Sequence, residues 1–258
     1  MSTTSVDVAT ADGIGTLILD HPPLNILTRS VLADLRGRLA ELAVQAERGE
    51  IGALLLGAAG RHFSAGADVG EHLPPEFELM IPEFLDTVEA IADFPQPVIA
   101  AVRGRCLGGG FELVQAADLV VAADDAVFGQ PEIALGVSPP AACALLPGLL
   151  GPALAAELVL TGDPLSAERA HEAGLVARLV PADQVEAAAR ELAGRIARHS
   201  PTALRLTKKA LRAGTASARH AALRSSGRIY VDELMATADA VEGLTAFLDK
   251  RTPEWTGR

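Results

Sequence analysis

The run Val98-Ile99-Ala100-Ala101-Val102-Arg103-Gly104-Arg105-Cys106-Leu107-Gly108-Gly109-Gly110-Phe111-Glu112 sets the architecture. Its first five residues are a short apolar run of strand length, and the glycines that follow open a helix. The same grammar recurs on both sides. Gly15 to Leu19, Gly52 to Leu56 and Leu119 to Ala123 read as further buried strands. Between them, Thr28 is placed to cap a helix whose Val31, Leu32, Leu35, Leu39 and Leu42 share one face. Glu83 to Phe94 reads as another helix, stopped by Pro95 and Pro97. Ala141 to Leu160 is broken by Pro147, Gly148, Gly151 and Pro152, so it is a buried helix and turn rather than a membrane span. Strands alternating with helices predict an α/β fold with partly parallel pairing. Past Ser200-Pro201 the strand signals stop. Helical segments are expected from Thr202, Ala218 and Ala238, with Val231, Leu234, Met235, Ala238, Val241, Leu244 and Leu248 at helical spacing.

Composition narrows the function. The 258 residues carry a formal net charge of −11 and only seven Phe, one Trp and one Tyr. Such a chain lacks the basic surface and the stacking platforms of a nucleic-acid binder. Met1 to Asp7 has neither the basic start nor the apolar run of a leader. The two cysteines, Cys106 and Cys143, fit neither a disulfide framework nor a zinc spacing, so the expected compartment is a reducing cytoplasm. Charge is uneven: Arg190 to Arg228 holds ten basic residues and one acid, whereas the rest holds twelve and thirty-two. That segment is either a set of solvated helix faces or a local site for a phosphorylated small molecule or an acidic neighbouring subunit.

Several familiar motifs fail. Gly108-Gly109-Gly110 fits no GxGxxG register and lacks the Lys-Ser/Thr of a phosphate loop, and His171-Glu172 meets Leu175 where a zinc motif needs histidine. Ser64 lacks the preceding glycine of a nucleophile elbow. What remains is two small-residue loops at strand exits, Phe63 to Asp68 and Leu107 to Glu112, plus two carboxylates. With no bulky side chains, such loops let backbone N–H groups approach a ligand, and a helix N-terminus favours negative charge there. Converging N–H donors make an oxyanion hole. Glu112 is in the first helical turn, where it serves either the dipole or chemistry. Glu132, among Val127, Phe128, Ile133, Ala134 and Leu135, is paired, raised in pKa, or catalytic.

Taken together, these segments resemble the crotonase, or enoyl-CoA hydratase/isomerase, superfamily. Phe63 to Asp68 is similar to its first oxyanion loop, Gly104 to Glu112 to its second, and Phe128-Gly129-Gln130-Pro131-Glu132 to its second-glutamate segment. Leu160 to Asp163, Ala173 to Val176 and Phe247 to Arg251 are similar to later landmarks, so the likeness runs from about Val6 to Trp255. The resemblance implies a spiral of β-β-α turns over residues 1–200 and a helical trimerisation region over 201–258, assembled as a homotrimer or a dimer of trimers. It implies that Ala65 and Gly109 N–H groups hold the thioester oxygen of an acyl-CoA, while Glu112 and Glu132 hold a water and exchange protons. It further implies CoA contacts from Leu24, Ala65, Gly66, Ala67 and Asp68, with Phe247 and Lys250 reaching a neighbouring subunit's CoA. CoA enters as part of the substrate; no separate cofactor and no metal are expected.

Both glutamates being present, the implied activity is hydration of a 2-enoyl-CoA, with double-bond isomerisation as an alternative. Gly136-Val137-Ser138-Pro139-Pro140-Ala141-Ala142-Cys143 departs from the glycine-rich stretch of common short-chain hydratases. With His21-Pro22-Pro23 and Ala240 to Gly243, it resembles the branch that hydrates cyclic dienoyl-CoA thioesters. A serine peptidase using Ser64, and a non-catalytic acyl-CoA binder, are the rivals from other classes.

Overall fold

The structure is a computed structural model that describes residues 5–258; Met1 to Thr4 of the N-terminal stretch lie outside the described residues. The first two strands are β1 (Val6–Ala11) and β2 (Ile14–Leu19), an antiparallel hairpin joined through Asp12 and Gly13, both at positive φ. Asp-Gly is the favoured pair for such a two-residue turn. No strand is expected over β1 from hydrophobicity, because Val6 is its single buried residue.

Beyond the hairpin the large sheet is parallel. Its order is β1-β2-β3-β4-β6-β9, with β3 at Ala53–Ala58, β4 at Val98–Val102, β6 at Leu119–Ala123 and β9 at Arg178–Val180. A second, small sheet joins β5 (Arg105–Leu107), β7 (Val127–Gly129) and β8 (Leu165–Ser166), and Ser64 bridges to Cys106 beside it. Each circuit therefore runs from a large-sheet strand to an extended piece in the second layer and then to a helix. β3 leads through Ser64 to α2 (Phe77–Ala92), and β4 leads through β5 to α3 (Gly109–Gln115). This repeated β-β-α circuit is the expected spiral.

Helix α1 (Arg29–Glu47) forms as its spacing predicts: Thr28 Oγ1 accepts from the Val31 N–H at 3.3 Å, and Val31, Leu32, Leu35, Leu39 and Leu42 are buried. Helix α2 starts at Phe77, six residues before the expected Glu83, and carries Pro82 inside it. Proline ordinarily ends a helical reading, but here the buried face of Met80, Ile81, Phe84, Leu85 and Val88 outweighs the lost N–H. The proline-interrupted stretch becomes α4 (Pro140–Leu150) and α5 (Pro152–Thr161), separated by Gly151. After α6 (Ala167–Glu172), α7 (Val185–Ala197) covers one sheet face through Ala189 and Ala193, packed with Ile14, Leu55, Ile99 and Val121. With both faces covered, the strands are apolar throughout rather than alternating.

The C-terminal helices are α8 (Pro201–Arg212), α9 (Ala216–Arg228) and α10 (Ala238–Leu248). The expected continuous spacing from Val231 to Leu248 is interrupted. A π-turn at Ile229–Glu233 and a 3-10 turn at Leu234–Ala236 end at Thr237, which is extended and caps α10. Leu223, Tyr230, Met235, Ala240 and Leu244 belong to the same core as Leu54, Phe63 and Phe111, so the region after residue 200 docks onto the spiral's own core.

Docking also explains the basic segment. Asp118, at the head of β6, takes Lys208 at 2.7 Å and Arg212 at 2.6 Å, while Arg219 pairs with Asp93 and His220 lies 3.0 Å from Glu89. Cations of α8 and α9 thus meet acids of the spiral.

Candidate active site

Glycine chemistry brings the two loops together. Gly108 has φ of 51°, and a Cβ there would lie 2.7 Å from Glu132 Oε1, so this turn admits only glycine beside that carboxylate. The neighbouring Gly109 begins α3, where its N–H has no helical acceptor. A Cβ built on Gly109 would stand 3.4 Å from the Ala67 nitrogen, so the two loops meet closely at these residues. Neither the Ala67 nor the Gly109 N–H has a protein acceptor among the described residues.

The expectation for Ala65 is corrected. Its N–H is donated to the Leu24 carbonyl at 3.0 Å, a bond that ties the loop to the chain before α1. The free donor of this loop is Ala67. Ser64 is equally occupied: its fully buried hydroxyl donates to the Asn25 carbonyl at 2.7 Å and accepts from the Gly66 N–H at 3.1 Å. A hydroxyl spent on backbone groups, with no histidine in contact, cannot serve as a peptidase nucleophile.

Glu112 sits in the first turn of α3 and is 3% exposed. Its Oε1 accepts from the Ala141 N–H at 2.7 Å and the Ala142 N–H at 2.9 Å. Those donors are the first free N–H groups of α4, because Pro139 precedes the helix and Pro140 is its first residue. The Pro139-Pro140 pair thus aims a helix N-terminus at Glu112. Burial raises the Glu112 carboxyl to about 7, against the pull of the two N–H groups.

Glu132 lies in the 3-10 turn Pro131–Leu135, on which α10 rests; a Cβ on Gly243 would fall 2.2 Å from the Leu135 carbonyl oxygen. Only glycine lets α10 approach that closely. Burial and the nearby Glu112 hold Glu132 well above the ordinary carboxyl range. Gln130, fully buried, offers its amide nitrogen to Glu132 Oε2 at 3.0 Å and Oε1 at 3.1 Å once its oxygen faces the Gln115 amide at 2.8 Å. The hydrogen-bond network assigns that orientation.

Both glutamates open into one cavity of about 410 Å³. Of the residues singled out in the sequence, Ala65, Gly66, Ala67, Gly109, Glu112, Glu132 and Phe247 line it. Leu24, Asp68 and Lys250 do not. Leu24 contributes its carbonyl to Ala65, Asp68 caps the Glu71 N–H at 3.1 Å, and Arg251 rather than Lys250 reaches the wall, held by Glu242. Phe247 lines the cavity of its own chain. No residue of the basic segment is on the wall. The stretch from Val137 to Pro140, noted in the sequence as a departure, is on the wall, whereas the sequence reading missed His72, Met80, Ile81 and Phe84. The α2 residues carried a signal, a buried helical face, but nothing in spacing says which part of that face meets a cavity.

Comparison with known proteins identifies the family. Residues 9–258 match the family described as Enoyl-CoA hydratase/isomerase. The chain is 42% identical over 243 residues to a cyclohexa-1,5-dienecarbonyl-CoA hydratase of Thauera aromatica, covering 94% of this chain and 92% of that protein. It is 38% identical over 245 residues to a 2,3-dehydroadipyl-CoA hydratase of Escherichia coli K12, covering 94% of each. Among solved structures, an enoyl-CoA hydratase/isomerase from Pseudoalteromonas atlantica T6c superimposes with a TM-score of 0.88 at 31% identity, covering 98% of this chain and 100% of that one. With a profile match over nearly its whole length and relatives named as hydro-lyases, the chain belongs to the enoyl-CoA hydratase/isomerase family, the crotonase superfamily.

Proposed function

We propose that the protein adds water across the 2,3 double bond of a 2-enoyl-CoA, with Glu112 and Glu132 as the proton-transfer groups. The observation that carries this reading is a pair of carboxyls, Glu112 raised by burial and Glu132 raised by burial and by Glu112, that line one largely apolar cavity with two unsatisfied N–H groups. The Ala67 and Gly109 N–H groups donate to the thioester oxygen and stabilise the enolate as negative charge develops on it. Each such donor is worth roughly 10² to 10³ in rate. Glu112, kept ionisable by two helix N–H groups, takes a proton from water as its oxygen bonds to C3. Glu132, kept protonated by burial and by Glu112, gives its proton to C2. Proton exchange then returns the pair to its starting state.

A second reading concerns the acyl group. The Thauera aromatica relative and the Pro139-Pro140 wall favour a cyclic dienoyl thioester. The test is to supply crotonyl-CoA and cyclohexa-1,5-diene-1-carbonyl-CoA separately and follow loss of the conjugated thioester absorbance, identifying products by mass. A product heavier by water supports hydration, whereas an isomer of unchanged mass supports double-bond migration. Tight acyl-CoA binding with no turnover on any enoyl thioester defeats both. We also propose a homotrimeric or hexameric assembly. The exposed Leu149, Leu160 and Leu211 support it as apolar surface for a neighbour to cover, and sedimentation of the purified protein tests it.

A further inference from the structure

One polar pair on the cavity wall is not used by the hydration chemistry. His72 closes the short 3-10 turn Gly70–His72 and lines the cavity with Met80, Ile81, Phe84 and Val137, which are apolar. Its Nδ1 is 2.8 Å from the hydroxyl of Tyr230. Tyr230 is 0% exposed and is brought inward by the π-turn Ile229–Glu233. A phenylalanine would fill that volume without burying a hydroxyl, and His72 is the hydroxyl's partner among the described residues. Burial, reinforced by the nearby Glu132 and Glu112, pushes the Tyr230 hydroxyl far up, so it stays protonated, and with His72 as its one acceptor among the described residues the O–H donates to the ring. His72 Nδ1 is then the acceptor and Nε2 carries the ring proton. Burial also lowers His72 to about 4, so the ring is neutral at neutral pH. Nε2 has no protein partner among the described residues. The apolar wall therefore holds one fixed, uncharged N–H donor.

We propose that His72, oriented by Tyr230, is a specificity residue that hydrogen-bonds a neutral oxygen on the acyl group, so that the preferred thioester carries a hydroxyl or keto oxygen beyond C3. The proposal rests on the hydratase reading. A carboxylate is the poorer partner, because Asp68 and the ionised Glu112 already place negative charge around this end of the site. A plain hydrocarbon leaves the N–H unpaired in an apolar wall, and sites built to bond a substrate oxygen discriminate strongly against analogues lacking it.

The experiment measures kcat/KM of the full chain for hex-2-enoyl-CoA, for its hydroxy and oxo derivatives at C4, C5 and C6, and for the thioester of the corresponding dicarboxylate. At least one neutral oxygenated thioester is expected to exceed hex-2-enoyl-CoA by about 10-fold or more. His72→Leu should erase that ratio, and His72→Gln, which keeps an N–H donor, should restore part of it. Tyr230→Phe should reduce it without erasing it, and should shift the ring-nitrogen NMR signals of His72 away from the Nε2–H tautomer. A preference for hex-2-enoyl-CoA or for the dicarboxylate, or a ratio unchanged in both His72 variants, overturns the proposal. Calorimetric binding of the saturated hexanoyl, hydroxyhexanoyl and oxohexanoyl thioesters separates the two readings. A His72-dependent gain in affinity without turnover of any enoyl thioester would defeat hydration but keep this specificity; turnover without the gain would do the reverse.

Discussion

Asp118 and the cavity glutamates are both drawn away from bulk solvent, and in opposite ways. At the head of β6, Asp118 is answered by Lys208 and Arg212 and also accepts the Val98 N–H at 2.8 Å. In the cavity, Glu112 and Glu132 are answered by backbone and amide N–H groups and by no cation. The first arrangement fixes helix α8 to the spiral; the Lys208 ammonium also reaches the Gln96 carbonyl at 3.0 Å. The second raises Glu112 to about 7 and holds Glu132 well above the ordinary carboxyl range. A buried acid with a cation is a fastening, whereas a buried acid beside another acid is a proton reservoir. The contrast separates structure from chemistry without reference to any relative.

The largest effect should come from the cavity pair. Glu132→Gln should lower kcat on the best enoyl-CoA by about 10³-fold, within the range of general acid-base catalysis, and leave the thermal midpoint equal or higher. Hydration as fast as the parent would break the assignment. The fastening should respond the other way. Asp118→Ala strands a lysine that is 7% exposed, so urea unfolding should show a loss of about 3 kcal/mol while kcat of the folded enzyme stays within about 2-fold. A collapse of kcat with stability intact would erase the distinction.

Stability against pH sharpens the contrast. Glu112 ionises near 4.5 in the unfolded chain but near 7 in the folded one, so the folded state binds more protons across that window. Folding therefore loses stability as pH rises from about 4.5 to 7, and the cost is fully present above 7. Glu112→Gln should accordingly gain up to about 3 kcal/mol over the parent at pH 8 and little at pH 4, read from denaturant midpoints. In activity, the acid limb of kcat/KM should fall near pH 7 as Glu112 takes up its proton. The smallest effect belongs to the exposed cations of the basic segment. Replacing Arg205 and Lys209 with alanine should change KM by less than about 2-fold and stability by less than about 0.5 kcal/mol. A marked rise in KM would return the segment to the role of a CoA-phosphate site.

That segment shows where reading along the chain falls short. Its excess of positive charge is plain in the sequence, which points to solvated faces, a phosphate site or an acidic neighbouring subunit. None of these describes Lys208, Arg212 or Arg219, which meet Asp118 and Asp93 of the same chain, far away along it. The Arg219 side chain is only 11% exposed. The strands and α1 were legible because strand-length apolar runs and a three- and four-residue stripe each follow from one local periodicity. Helix α2 was half legible, since Pro82 masks its first turn. Pro139-Pro140 was noted as a departure, but its consequence, a helix start aimed at Glu112, needed α3 and α4 in place.

By itself, then, the amino-acid order determined the strand-helix alternation, the two small-residue loops, the two carboxylates and the family likeness, because each depends on residues near one another in the chain. The tertiary structure alone decided that Ala67 and not Ala65 has the free N–H, that Glu112 is held by the start of α4, and that His72 and Tyr230 meet across 158 residues. A backbone donor is free or spent according to what packs against it, and a carboxyl's proton affinity follows from the charges and solvent around it. Both are properties of contacts between distant segments, which a linear pattern does not encode.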